Sequence, residues 1–168
     1  MAYDPRAIAN LVLKYANNIG VRVTNLAVNK IVYFLHGHYL AKTGKPLVDE
    51  QFEAWQHGPV LYTLFNSFKR YGDQPIDSLA KKMDFQTEVL ADVDDVIEGR
   101  DLKVIWQYIN IYTRASVSQL YDWSHVKGGP WYKTWNYQTT SNPGMIISDH
   151  EIANHFRKEG TLHGGFRA

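Results

Sequence analysis

The segment from Thr24 to Leu40 constrains the fold more than any other part of the chain, because the helix that it predicts is apolar on more than one face. Its apolar residues are Leu26, Val28, Ile31, Val32, Phe34, Leu35, Tyr39 and Leu40. A helix at the surface of a domain carries one apolar stripe, whereas a helix of this kind must be covered from several sides. We therefore predict a central, buried helix that is capped by Thr24 and surrounded by the other elements.

Capping motifs predict further helices around this one. Asp4 and Pro5 combine an N-cap residue with proline in the first helical position, and apolar residues recur at helical spacing until Gly20 ends the run. The tetrapeptides at 116–119 and 148–151 both fit capping boxes. Each is followed by apolar residues at helical spacing, so each predicts the start of a helix.

The remaining segments complete the predicted fold. An apolar stripe predicts a third helix of about three turns that begins at Pro59, and residues 93–112 predict one long helix or two helices broken near Gly99. Short strands are predicted at 52–55 and 145–147, with a turn at 141–144. We therefore predict a mainly α fold, namely a compact single helical domain with a small β element. An α+β fold is the alternative. Residues 1–160 form the domain and residues 161–168 a flexible tail.

Composition excludes several classes of protein and site. The 168 residues suit one domain, and the net charge of +1 provides no overall attraction to nucleic acid or to an anionic membrane. The absence of cysteine excludes disulfides, thiolate zinc sites and thiol nucleophiles. The N-terminus lacks the pattern of a secretory leader, and no apolar run approaches the ~18 residues of a membrane span. We expect a cytoplasmic protein that does not bind nucleic acid directly.

The segment from Phe52 to Val60 is predicted to be a corner between a strand and a helix, because Gly58 and Pro59 interrupt the strand pattern. Trp55 and His57 meet there, which suits catalysis, contact with a partner or a structural role. No nucleophile has a spacing that pairs it with His57. We favour the structural interpretation, in which Trp55 fills the core and His57 forms a hydrogen bond that holds the corner.

A second corner of the same kind follows Gly129, with Pro130 at a helix start and Trp131 behind it. Ser124 and His125 precede it, but neighbouring helical residues point in different directions, so we do not expect their side chains to form a hydrolase pair. For His125 we expect a buried hydrogen bond near Trp131. The histidine pairs at 36/38 and 150/155 lack the i, i+4 spacing of a helical metal pair, and no metal is expected.

Several motifs occur in one order along the chain: Lys30–Gly37, Gly44–Leu47, Glu53–Val60, Ser124-His125 and Gly129–Trp131. Together they resemble the Panacea domain of bacterial and phage toxin–antitoxin systems, to which SocA-like antitoxins and the phage-associated GepA-like family belong. The resemblance covers roughly residues 5–75 and 115–157. The motif residues are Trp55, His57, Gly58, Pro59, Val60, His125, Pro130 and Trp131.

The resemblance implies an antitoxin that neutralises the protein toxin encoded by an adjacent gene through direct contact, without enzymatic activity or a cofactor. Toxins paired with this family include toxic small alarmone synthetases. The family also implies an alternative, a proteolytic adaptor that delivers the toxin to a Clp-type protease. A hydrolase-type detoxifying enzyme that uses His57 or His125 is the alternative that the residues themselves leave open.

Two sets of residues are candidates for contact with the toxin. Six acidic residues and no Lys or Arg lie between Asp84 and Glu98, and Asp92, Asp94 and Asp95 predict a negative face for a basic partner. A solvated helix face is the alternative. The second set consists of aromatic residues that follow the two corners: Tyr62, Phe65, Tyr132, Trp135 and Tyr137. They are more numerous than one core needs and could act as anchors for a partner. Packing in the core is the alternative role for them.

Overall fold

The central helix of the computed structural model, which describes residues 1–135 and 145–158, is α2 (Asn25–Thr43). It is buried on all sides, including at the polar residues Asn29, Lys30 and His36. At the start of α2, the Thr24 hydroxyl accepts a hydrogen bond from the backbone N–H of Ala27. The helix ends at Gly44, which has φ of 69°. The predicted central position of this helix is confirmed.

Helices that pack against α2 include α1 (Pro5–Asn18), α4 (Gly99–Arg114), α5 (Val117–Ser124) and α7 (Asp149–Lys158), and α6 (Pro130–Trp135) packs against α7. The starts of α1, α5, α6 and α7 are the predicted ones, because local capping chemistry decides them. With two small antiparallel hairpins as the β content, the described chain is mainly α, as predicted.

The corner predicted to open a helix is a β-hairpin instead. The strands β1 (Glu53–Trp55) and β2 (Gly58–Val60) pair antiparallel, with Ala54 opposite Pro59. The helix α3 (Tyr62–Ser67) begins only after β2, and a 3₁₀ turn (Lys69–Tyr71) follows it. The predicted helix of about three turns is therefore present, but its predicted start at Pro59 was wrong. Asn29 of α2 accepts a hydrogen bond from the Leu61 N–H at 2.9 Å, and this distant contact holds the chain extended.

The acidic segment forms a second hairpin, which the sequence did not predict; a solvated helix face was the alternative given for this segment, and the helix predicted from residue 93 begins later. The strands β3 (Lys81–Asp84) and β4 (Val89–Asp92) are exposed along their whole length, and α4 begins at Gly99. Buried Asn10 of α1 holds the base of this hairpin. Its amide donates to the carbonyls of Ala80 and Val93 at 3.0 and 2.9 Å, and its oxygen accepts from the Ala80 N–H at 2.7 Å. These contacts across 70 residues or more override the local helical spacing.

The strand predicted at 145–147 is reduced to one bridge, between Ile146 and Glu53, with the Ile147 N–H donating to the Phe52 carbonyl at 2.8 Å. The turn predicted at 141–144, Tyr137 and the tail predicted at 161–168 lie outside the described residues. Within the described ranges, no helix has the length and apolar character that crossing a membrane requires.

Candidate functional site

The two corners that the sequence predicted to be alike are in contact. The indole Nε1–H of Trp131, at the start of α6, donates to the Trp55 carbonyl at 2.7 Å. Trp131 is buried, and its hydrogen bond joins α6 to the outer end of β1. This bond joins residues that are 76 positions apart, so no local pattern could predict it. We refer to the strands β1 and β2, with their turn, as the Trp55 hairpin.

His125 lies at the centre of this junction, as the C-cap of α5. Its ring stacks on Tyr121, with centroids 3.7 Å apart, and contacts Trp131 with centroids 4.0 Å apart. Nδ1 is 2.7 Å from the Tyr121 carbonyl oxygen and therefore carries the proton. Burial lowers the pKa of His125, an effect opposed by nearby backbone carbonyl groups and assisted by Lys30 and His57. The expected position of His125 beside Trp131 is confirmed.

The argument that the Ser124 and His125 side chains point in different directions was wrong. The Ser124 hydroxyl is 3.0 Å from Nδ1 of His125 and 3.0 Å from the Tyr121 carbonyl oxygen. Helical geometry no longer applies at this position, because α5 ends at Ser124 and His125 has φ of −102° and ψ of 11°. The two side chains and one carbonyl therefore form a compact polar cluster beneath the Trp55 hairpin.

The roles expected for Trp55 and His57 were also wrong. Trp55 is half-buried, with its Nε1–H donating to a Glu53 carboxylate oxygen at 2.6 Å and its ring meeting Phe65 edge to face at 4.8 Å. His57 is exposed, and no hydrogen bond links it to any described residue. The hairpin is held by Trp131 and, at its far end, by Asn29 of α2.

Beside the hairpin lies a groove of about 640 Å³, lined by Trp55, His57, Val60 and Phe65 on one side. Val117 lines it as well and is 63% exposed. An open apolar recess of this kind can receive an apolar side chain from another molecule. Polar side chains such as Gln56, Lys69 and Asp73 also line it, but they contribute less of its surface than the apolar ones.

A family profile described as "Antitoxin SocA-like, Panacea domain" matches residues 28–132. The chain belongs to this family. The match spans α2, the Trp55 hairpin and the His125–Trp131 junction. Antitoxin SocA of Caulobacter vibrioides (strain NA1000 / CB15N) is 36% identical to the chain over 160 residues, which cover 92% of this chain and 82% of that relative. No solved structure matches the chain.

In this Panacea-domain protein, the aromatic residues predicted to bind a partner differ in exposure. Tyr62 is 56% exposed and Trp135 is 39% exposed, with the Trp135 ring stacked on Trp131 at 5.7 Å. Phe65 and Tyr132 are half-buried. Phe65 contributes to the groove, so among the four described members of this set Tyr62 and Trp135 have the most area left to bury.

The predicted acidic face has cations of its own. Asp92 pairs with Lys81 at 2.6 Å and Asp94 with Lys14 at 2.8 Å. Asp95 lies 3.8 Å from the amine of a third lysine, Lys82. All three lysines lie outside the interval 84–98, which is why the sequence interval looked uncompensated. Their proximity reduces the negative potential that the sequence predicted.

The sequence interpretation missed the exposed apolar residues of the β3–β4 hairpin, which are Met83, Phe85, Val89 and Leu90. Phe85 is 90% exposed, beside the turn that joins the strands. Asp is common in turns, so Asp84 was a sequence signal for the turn of this hairpin. In the structure, its carboxylate accepts a hydrogen bond from the Gln86 N–H at 2.8 Å. Across the described residues, no three His, Asp or Glu side chains form a group that could hold a metal ion.

Proposed function

We propose that this Panacea-domain protein is an antitoxin that neutralises a protein toxin encoded by an adjacent gene, by binding it directly. The observation that carries the proposal is the 36% identity to Antitoxin SocA, which extends over 92% of this chain. The site supports binding, because it offers an apolar groove and exposed aromatic side chains. An antitoxin with a toxin partner acts where that toxin is made, so we place the complex in the cytoplasm. Of the possible partners, we propose a toxic small alarmone synthetase as the first toxin to test.

Two surfaces are proposed to contact the toxin. The first comprises Tyr62, Phe65, Tyr132 and Trp135 beside the groove. The second is the β3–β4 hairpin, where exposed Phe85 and Leu90 accompany the lysine-paired carboxylates of Asp92, Asp94 and Asp95. Burying exposed apolar area drives association, while paired charges mainly select the partner and its orientation.

The direct test is co-expression of the chain with the product of its neighbouring gene. We expect rescue of growth and co-purification of a stable complex. Loss of growth without any complex would contradict the proposal. Growth and complex formation are measured in the same cultures. Cultures that express the chain alone, or the neighbouring gene product alone, serve as references.

The contact surfaces are tested with matched variants. Phe85→Ser with Leu90→Ser removes apolar area from the hairpin, and Tyr62→Ser with Trp135→Ser removes it beside the groove. Truncation of a central anchor costs 2 kcal/mol or more, so a true contact surface should weaken toxin binding by roughly 30-fold or more. Reversal of Asp92, Asp94 and Asp95 to Lys tests the charges. Unchanged affinity at low salt would remove the acidic residues from the contact.

Toxin half-life and stoichiometry separate the proposed mechanism from its alternatives. Direct inhibition predicts an intact toxin in an inactive complex, neutralised at a fixed molar ratio. An adaptor to a Clp-type protease predicts that the toxin disappears. A hydrolase-type detoxifying enzyme that uses His57 or His125 is the remaining alternative, although the His125 Nδ1 that faces the Ser124 hydroxyl carries a proton and cannot act as its base. For that candidate, substoichiometric protein suffices, and a fixed one-to-one titration would eliminate it.

A further inference from the structure

The hairpin of β3 and β4 has a free outer edge along each strand. The residues of both strands are exposed, and among the described residues their sheet consists of these two strands. A free edge presents backbone N–H and C=O groups that can pair with a strand of another molecule. The residues of each edge therefore decide which strand fits beside it.

The ladder determines which backbone groups point outward. The Val93 N–H donates to the Ala80 carbonyl at 3.0 Å, in continuation of the register of β3 and β4. Hydrogen-bonded and non-hydrogen-bonded pairs alternate along an antiparallel ladder. The N–H and C=O groups of Lys81 and Met83 are therefore the ones on β3 that point away from β4.

The side chains of β3 alternate between two faces of the hairpin. Lys82 and Asp84 share one face. Lys81 and Met83 share the other, where Met83 lies opposite Leu90 of β4. Met83 is 44% exposed and Leu90 is 59% exposed. One face of this edge thus carries a lysine and an aspartate in alternate positions, and the other carries an exposed apolar pair.

We propose that β3 pairs antiparallel with β3 of a second copy of this chain, about a two-fold axis at Met83. The outward N–H of Met83 in each copy then donates to the Met83 carbonyl of the other. Lys82 of each copy lies opposite Asp84 of the other, so two ion pairs form across the axis. On the other face, Met83 and Leu90 of both copies make one continuous apolar row.

Charge selects this register over its neighbours. Pairing centred on Lys82 or on Asp84 uses the same outward backbone groups, but it sets two like charges opposite each other at the axis. The strand β4 (Val89–Asp92) contains an acidic residue and no basic one, so no register of two β4 strands forms an ion pair. The β3 edge is therefore the self-complementary edge of the hairpin.

Both charged groups are in a state that suits this pairing. The Lys82 amine lies 3.8 Å from an Asp95 oxygen, at the outer limit of an ion pair, and 47% of its side chain is exposed. Backbone N–H groups of Gln86 and Thr87 donate to the Asp84 carboxylate and lower its pKa. Asp84 is therefore ionised at neutral pH, opposite the lysine of the other copy.

The geometry of the hairpin allows the two domains to approach. Antiparallel pairing about Met83 sets the two hairpin bases, at Ala80, on opposite sides of the axis and roughly 20 Å apart, which directs the domains away from each other. One strand edge is smaller than a standard interface of about 800 Å² per partner, so we expect a dimer that dissociates in the micromolar range or above. The dimer does not depend on the antitoxin function. A toxin bound to Phe85 and Leu90 would compete with it.

Sedimentation velocity of the full chain without a toxin, from micromolar to millimolar concentration, tests the proposal. We expect an equilibrium between monomer and dimer. Lys82→Glu and Asp84→Lys each set like charges opposite each other at two positions, and each should weaken the dimer about tenfold or more. Lys103→Glu makes the same charge change at an exposed position of α4 and should leave the dimer unchanged.

An equimolar mixture of the Lys82→Glu and Asp84→Lys variants separates this register from other contacts and from misfolding. Every reversed charge then faces its opposite, so mixed dimers should form at concentrations where each variant alone is monomeric. The Met83 amide should exchange more slowly as the wild-type concentration rises, because it is bonded at the axis. A wild type that stays monomeric, a dimer that charge reversal does not weaken, or a mixture without dimers would overturn the proposal. None of these results depends on toxin binding.

Discussion

The ring of Phe156 in α7 lies directly against the backbone of Gly37 in the middle of α2. A Cβ placed on Gly37 would be 2.3 Å from Cε2 of that ring, much closer than any real contact. The absence of a side chain at this position allows the two helices to pack closely. The ring of Phe156 also meets Tyr33 and Phe34 of α2, with centroids 5.8 and 6.1 Å away.

Gly37→Ala should therefore destabilise the protein by about 1–3 kcal/mol, because the added methyl group displaces Phe156 from the core. This result opposes intrinsic propensity, since alanine is favoured over glycine inside a helix by about 1 kcal/mol. Urea unfolding measures the change. Gly99→Ala is the matched control, because its Cβ would enter open space. Equal stability of the two variants would contradict the packing, and Phe156→Leu should recover part of the loss.

Trp131→Phe should cost about 1–3 kcal/mol, because it removes the indole donor and leaves the Trp55 carbonyl without its partner. Trp135→Phe is the control, since Trp135 is more exposed and stacks on the outer side of the junction. Chemical denaturation compares the two variants. Similar losses in both would mean that ring packing, and not the hydrogen bond, holds the Trp55 hairpin to α6.

Asn10→Ala should release the base of the β3–β4 hairpin. It removes three hydrogen bonds to backbone groups at 80 and 93, and we expect a loss of about 1–3 kcal/mol. Hydrogen exchange should rise across residues 81–92 before the rest of the protein responds. Asn17→Ala, on the exposed side of the same helix, should leave exchange there unchanged. Protected amides in the Asn10→Ala hairpin would show that it is held by other contacts.

Lys30→Met should make the protein more stable at pH 7 and should change how stability depends on pH. The pKa of Lys30 is about 8 in the folded state and 10.5 in the reference state. Below pH 8 both states are charged, and the folded state bears the cost of the buried ammonium. Between pH 8 and 10.5 only the unfolded chain keeps the proton, so stability rises with pH.

The difference between the two pKa values corresponds to a gain of roughly 3 kcal/mol for the wild type across that interval. The advantage of Lys30→Met should therefore be greatest at pH 7 and should shrink as the pH approaches 10. Denaturation at several pH values measures it. A constant difference between wild type and variant would mean that Lys30 is not a desolvated cation. Lys103→Met, at an exposed position, should follow the wild type throughout.

Local hydrogen-bonding chemistry explains which elements the sequence determined by itself. Asp4, Thr24 and Ser116 cap helices whose first turns lie within three residues of them, so each signal and its effect are both in one short segment. The apolar residues of α2 likewise predicted its central position, because a helix that is apolar on several faces must be covered by other elements on each of them. The motif residues of the Panacea domain were predicted in the same way, from the order of short segments.

Contacts between distant residues decided the rest. Asn29 holds Leu61 extended, Asn10 fixes the β3–β4 hairpin, and Trp131 reaches the Trp55 carbonyl, each across at least 32 residues. Lys30 of α2 is buried, and its side chain approaches His125 at the end of α5, only because α2, β2 and α5 pack together. Sequence spacing reports the preference of one segment for helix or strand. Only the tertiary structure supplies the distant donor or acceptor that outweighs this preference.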